Sequence, residues 1–94
     1  MTMNYYVLIY HLVDDYLTRR TQFREEHLKL AKELNQRGEM ILAGAFCDPP
    51  DKALLIFRVA DKSVIEDFVK KDPYVNNGLV ADWEIRAWTV VIGN

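Results

Sequence analysis

Two stretches that carry the apolar repeat of an amphipathic helix, set among four short runs of β-branched and aromatic residues, leave this chain few ways to fold. Tyr5-Tyr6-Val7-Leu8-Ile9-Tyr10 reads as a strand whose apolarity is continuous rather than alternating, so both of its faces are expected to be covered. From Tyr16 to Arg37 the positions Tyr16, Phe23, Leu30, Ala31 and Leu34 fall within about a third of a turn at roughly 100° per residue, which predicts a helix. Gly38 supplies its stop. Met40 to Phe46 and Ala53 to Val59 read as antiparallel neighbouring strands across the loop Cys47-Asp48-Pro49-Pro50-Asp51. Val64, Ile65, Phe68 and Val69 then mark a short helix, begun by a Ser63–Glu66 capping box or by Asp61 and ended before Pro73. Trp83 to Ile92 is the last expected strand.

The order β-α-β-β-α-β is the split βαβ arrangement of ferredoxin-like folds, an α+β sandwich with two helices on one face of a four-stranded antiparallel sheet. Ninety-four residues without repeats or low-complexity tracts make one domain, residues 1–94, with a modest core. The uncovered sheet face would present the first strand together with either Trp83, Ile85 and Val91 or Trp88, Val90 and Ile92. A small domain rarely leaves such a patch in water, so a homodimer packed sheet to sheet is expected.

Charge and chemistry narrow the uses of this topology. Twelve basic against fourteen acidic residues give a net charge of −2, and the bases of the first helix are interleaved with Glu25, Glu26 and Glu33. That is a solvated face, not a nucleic-acid footprint, and the third strand lacks the Gly-aromatic pattern on which RNA-binding sheets stack bases. The loop His11-Leu12-Val13-Asp14-Asp15 has neither thiolates for a soft metal nor glycines for a phosphate, so no metal or other cofactor is implied. Tyr5–Tyr10 is too short for a membrane span or signal, and Cys47 is a lone cysteine best read as a half-buried structural thiol, which together point to a reducing cytoplasm.

His27 is the residue that a purely structural reading absorbs least well. It lies about 20° from Leu34 on the helical wheel, so its ring is directed at the sheet, where its nitrogens need partners. Topology brings the end of the second helix beside the first half of the first, which puts Asp72 within reach of His27. A carboxylate there would hold the imidazole as a proton-exchanging group. The plainer reading is a core histidine satisfied by a backbone carbonyl, with Asp72 before Pro73 serving the turn. Tyr10, Tyr16, Arg20 and Arg24 are placed to donate hydrogen bonds or hold an anion near the upper end of the first helix, although such residues often serve only as rim.

Arg24 with His27-Leu28, Gly38, Ala43-Gly44, Asp72-Pro73-Tyr74 with Gly78-Leu79, and Glu84-Ile85 resemble, in order and from His27 onward in spacing, the YciI-like family of the dimeric α+β barrel superfamily. That family is similar in fold to muconolactone isomerases, and one member acts in dehydrochlorination of an aromatic degradation intermediate. The resemblance implies that His27 and Asp72 form a His-Asp dyad acting on a small-molecule ligand, with Tyr10, Arg24, Gly44 and Tyr74 as ligand-binding residues. The chain departs from the family at Ala45, where many members have Pro, at Lys52-Ala53, where many have Gly, and in a longer loop before the first helix. A cofactor-independent lyase or isomerase that moves a proton on a cyclic or aromatic carbonyl or enol compound is the expectation. The alternative is a non-catalytic binding or assembly subunit of the same dimeric fold.

Overall fold

The computed structural model describes residues 2–93. Strand β1 (Asn4–Leu12) leads to a one-turn helix α1 (Tyr16–Arg19), a 3₁₀ turn over Arg20–Gln22 and helix α2 (Arg24–Gln36). Strands β2 (Met40–Ala45) and β3 (Lys52–Val59) follow, then helix α3 (Ser63–Lys71), one-turn helix α4 (Pro73–Asn76) and strand β4 (Val80–Trp88). The sheet runs β2-β3-β1-β4 with every pair antiparallel, which is the expected ferredoxin-like α+β order.

Side chains opposite one another in an antiparallel pair share a face. Leu8, Tyr10 and Leu12 of β1 and Ala53, Leu55, Phe57 and Val59 of β3 point to the helices and are buried with Ala31, Leu34, Ile65 and Phe68. The ring of Phe57 meets that of Phe68 edge-on, centroids 5.8 Å apart. Within one chain the second face of β1 remains half-buried, so the unbroken apolarity of Tyr5–Tyr10 is satisfied on one side only. That open face carries Tyr5, Val7 and Ile9, flanked by Leu54 and Ile56 of β3, Leu42 of β2 and Trp88 of β4. Leu42 is 70% exposed and Trp88 48%.

The expected first helix is broken in two. The weak helix former Thr21 falls in the break, and the Arg19 guanidinium, 3.8 Å from Asp15, also donates to the carbonyls of Asn77 at 2.7 Å and Gly78 at 3.4 Å. At the far end Gly38, at φ 78°, closes α2, with the Glu39 N–H donating to Leu34 O at 3.0 Å. The start of α3 belongs to Asp61, whose Oδ1 accepts from the Ser63 N–H at 2.8 Å and from its hydroxyl; the Ser63–Glu66 box is not formed.

The last strand begins three residues before the expected Trp83 and stops at Trp88 instead of Ile92. Its register explains the stop: Trp88 is opposite Tyr5, near the start of β1, so residues beyond it have no strand to pair with. Val91 and Ile92 accordingly stay exposed. The same register turns Trp83 and Ile85 to the helix side and Trp88 to the open side.

The core is expected to respond sharply at Phe57, which is fully buried. Phe57→Ala should lower the unfolding free energy by about 3–5 kcal/mol, read as a shift in the urea midpoint at unchanged slope. A loss below about 1 kcal/mol would contradict the packing described.

Candidate active site

Asp72 is the one buried charged residue among the described residues, 0% exposed. Its place is made by local sequence. A residue before proline is driven out of the helical region, and Asp72 is extended at φ −70°, ψ 118°, which ends α3 and caps α4 with Pro73 in the first helical turn. Oδ1 accepts the Tyr74 N–H at 3.0 Å, as an N-cap carboxylate does. The turn chemistry and the pairing with His27 therefore occur together in one side chain.

Three donors converge on that carboxylate. His27 Nδ1 is 2.8 Å from Oδ1, and the Tyr10 hydroxyl donates to Oδ2 at 2.7 Å; the Tyr74 N–H is the third. Since a carboxylate is an acceptor, its contact assigns the His27 proton to Nδ1 and leaves Nε2 as the nitrogen that no hydrogen bond of the described residues uses. The ring is sandwiched as well as tethered. Tyr74 stacks on it with centroids 3.8 Å apart and planes 8° from parallel, and Phe68 approaches edge-on at 6.4 Å. The His27 side chain keeps 14% of its surface exposed.

That surface borders a cavity of about 420 Å³ between α1–α2 and the sheet. Tyr10, Tyr16, Arg20, Arg24 and Tyr74 supply its polar groups, while Leu28, Ala31 and Leu55 supply apolar wall. The segment after β2 closes one side with Phe46, Cys47 and Pro50. Cys47 is exposed there rather than half-buried. No group of three or more His, Cys, Asp or Glu side chains suited to a metal occurs among the described residues.

Arg24, Tyr74, Gly44 and Tyr10 all border this cavity. Tyr10 is 1% exposed and its hydroxyl is engaged by Asp72, so it supports the carboxylate rather than offering a free donor to a ligand. Gly44 is opposite Leu54, an open-face residue, and a Cβ built on it would meet nothing within 4 Å. Space in the cavity is left by the small side chains of Ala43, Ala45 and Ala53, which take the other face. The Tyr10–Asp72 bond and the Tyr74 stack are the two parts of the site that sequence reasoning misses. Tyr10 shares the parity of Leu8 and Leu12 along β1, the pattern that aims it at the helices, but its hydrogen-bond partner is 62 residues away.

Burial, the charge of Asp72 and the hydrogen bond to it, in that order, raise the Tyr10 pKa far above the usual tyrosine value. Burial likewise raises that of Tyr74, aided by Tyr16 and opposed by Arg24 and Arg20.

The family model of the YCII-related domain matches residues 3–89. No curated protein matches the chain. Among solved structures, the fold is similar to that of 5-chloro-2-hydroxyhydroquinone dehydrochlorinase from Burkholderia phenoliruptrix, in complex with 2,5-dihydroxybenzoquinone, with a TM-score of 0.76 at 17% identity over 90% of this chain and 93% of that one.

Tyr10 yields a pH-dependent expectation. Its folded pKa is raised, so its contribution to stability is complete below the unfolded tyrosine pKa of about 10 and is lost as pH rises beyond it, where only the unfolded chain gives up the proton. Denaturation midpoints should fall above about pH 10, and Tyr10→Phe should flatten that fall while costing about 1–3 kcal/mol at neutral pH through the donor lost to Asp72. An unaltered alkaline slope in Tyr10→Phe would refute the coupling.

Proposed function

The chain belongs to the YCII-related domain family, and on that premise we propose that it is a cofactor-independent small-molecule enzyme in which His27 transfers a proton on a cyclic or aromatic carbonyl or enol compound. The observation that carries this reading is the position of one imidazole between a buried carboxylate and a cavity. Asp72 holds Nδ1–H, which directs Nε2 as the base. Nε2 takes a proton from the carbon next to the carbonyl, and the C–H electron pair moves onto oxygen as an enolate; from an enol it takes the O–H proton and leaves the same enolate. Return of the proton at another carbon is isomerisation; departure of a leaving group with the electron pair is elimination. The imidazolium formed in between is stabilised by the Asp72 carboxylate and by the face of Tyr74. Tyr10 keeps Oδ2 occupied, so the carboxylate does not rotate away from His27. The dehydrochlorinase of similar fold supports the elimination form of this chemistry.

His27→Ala should lower kcat by about 10²–10⁴-fold, the usual worth of a general base, while leaving the circular dichroism spectrum unchanged. Asp72→Asn should impair the same step by presenting the ring in the wrong tautomer. A panel of enols, lactones and chlorinated hydroxyquinols is the substrate screen. Turnover that survives His27→Ala would overturn the assignment and leave a binding or assembly subunit as the reading.

The protein acts, in this proposal, as a cytoplasmic homodimer joined through the open sheet face. Support comes from the uncovered row Val7, Ile9, Leu54 and Ile56 between the exposed Leu42 and Trp88. Light scattering at micromolar concentration should give the mass of two chains, and Ile56→Glu should give that of one. A single-chain mass for the native protein would remove the dimer.

A further inference from the structure

The cavity beside His27 differs in charge from the chain that encloses it. The protein has 14 acidic and 12 basic residues, yet the cavity wall carries Arg20, Arg24 and His27 and, among the described residues, no Asp or Glu. The two arginines are also unspent. Their neighbour Arg19 is 3.8 Å from Asp15 and bonded to the Asn77 carbonyl, whereas no described carboxylate pairs with Arg20 or Arg24. Arg20 lies instead over the Tyr16 ring, 5.5 Å from its centroid.

A third donor stands at the same end. Tyr74 is 2% exposed and borders the cavity, and its hydroxyl is the buried side-chain polar atom without a hydrogen-bond partner among the described residues. A buried hydroxyl without a partner is costly, and such groups in native proteins generally have a use. Neither guanidinium is paired with a described carboxylate, and both stand near enough to this hydroxyl to act on it, Arg24 the more strongly, so the three form one array of donors for an acceptor. A guanidinium fork matches a delocalised oxyanion two oxygens at a time. Elsewhere the wall is Leu12, Leu17, Leu28, Ala31 and Leu55, which suits an apolar body rather than a hydrated inorganic ion.

We propose that Arg20, Arg24 and the Tyr74 hydroxyl form an anion subsite, and that the ligand of this cavity is a ring-bearing organic monoanion, a carboxylate or a phenolate. The subsite holds the oxyanion at the arginines and the Tyr74 hydroxyl and lays the ring along the apolar wall, beside the imidazole on which Tyr74 is stacked. This deepens the proposed function and rests on it for the location of the site. The anion, not the proton transfer, decides which molecules enter.

Binding tests the subsite without turnover. Benzoate, a nitrophenolate, neutral benzyl alcohol and inorganic phosphate are titrated near neutral pH into the ¹⁵N-labelled protein and into Arg20→Gln, Arg24→Gln and Tyr74→Phe, with backbone amide shifts reporting both fold and affinity. At least one of the two organic anions should bind about tenfold more tightly than benzyl alcohol and phosphate, and Arg24→Gln or Arg20→Gln should remove that preference. Whether benzoate or the nitrophenolate binds better tells which oxyanion the subsite prefers. Equal affinity for anion and alcohol, an anion preference untouched by both arginine variants, tighter binding of phosphate, or no saturable shift with either organic anion would overturn the proposal. Failure here with His27-dependent turnover intact leaves the catalytic reading standing. Arg-dependent anion binding with turnover indifferent to His27 removes the catalytic reading and keeps the subsite.

Discussion

Burial of the Asp72 carboxylate is the constraint around which the rest of the molecule is arranged. A charge removed from water is tolerated only where its oxygens are filled, and here the donors come from three separate parts of the chain: Tyr10 from the sheet, His27 from α2, and the Tyr74 N–H from α4. Tyr10 ties the sheet and His27 ties α2 to the same point, while the Tyr74 N–H caps it locally. The ties also align the imidazole, since a ring with Nδ1 fixed and a tyrosine stacked 3.8 Å from its face has little freedom left to rotate. Stability and a chemically useful geometry thus have one physical source.

The cavity exists because the sheet and helices part where side chains become small. Ala43, Ala45 and Ala53 occupy the helix-facing positions at the end of β2 and the start of β3, and the break between α1 and α2 lets Tyr16 and Arg20 line the other side. Arg19, bonded to the Asn77 and Gly78 carbonyls, fixes that break against the exit from α4. The result is an apolar chamber with its cations at one end and His27 on its wall, in a protein whose overall charge is negative.

How far the residues could be read in advance varies with the range of the interactions. The strand and helix order followed from apolar period and turn residues, because those are local. The end of β4 did not, because Trp88 is last only by virtue of lying opposite Tyr5, and nothing near Val90–Ile92 announces that β1 has run out. The break after α1 was hidden for a related reason. Helical period continues through Thr18–Phe23, and the anchors that hold the break are carbonyls nearly 60 residues away.

By itself the sequence determined that His27 faces the sheet, that Asp72 ends a helix before a proline, and that an α+β domain of this order would bring the two near each other. Those conclusions rest on 3.6-residue periodicity, on the steric effect of proline on its predecessor and on chain connectivity, all of which operate over a few residues or along a single element. Only the tertiary structure decided that Tyr10 would complete the carboxylate, that Tyr74 would stack on the imidazole, and that Gly44 would turn its open side away from the cavity. Each depends on strand register and on how a helix is rotated against a sheet. Those are fixed by the packing of the whole core at once, where a shift of one residue would reverse every face.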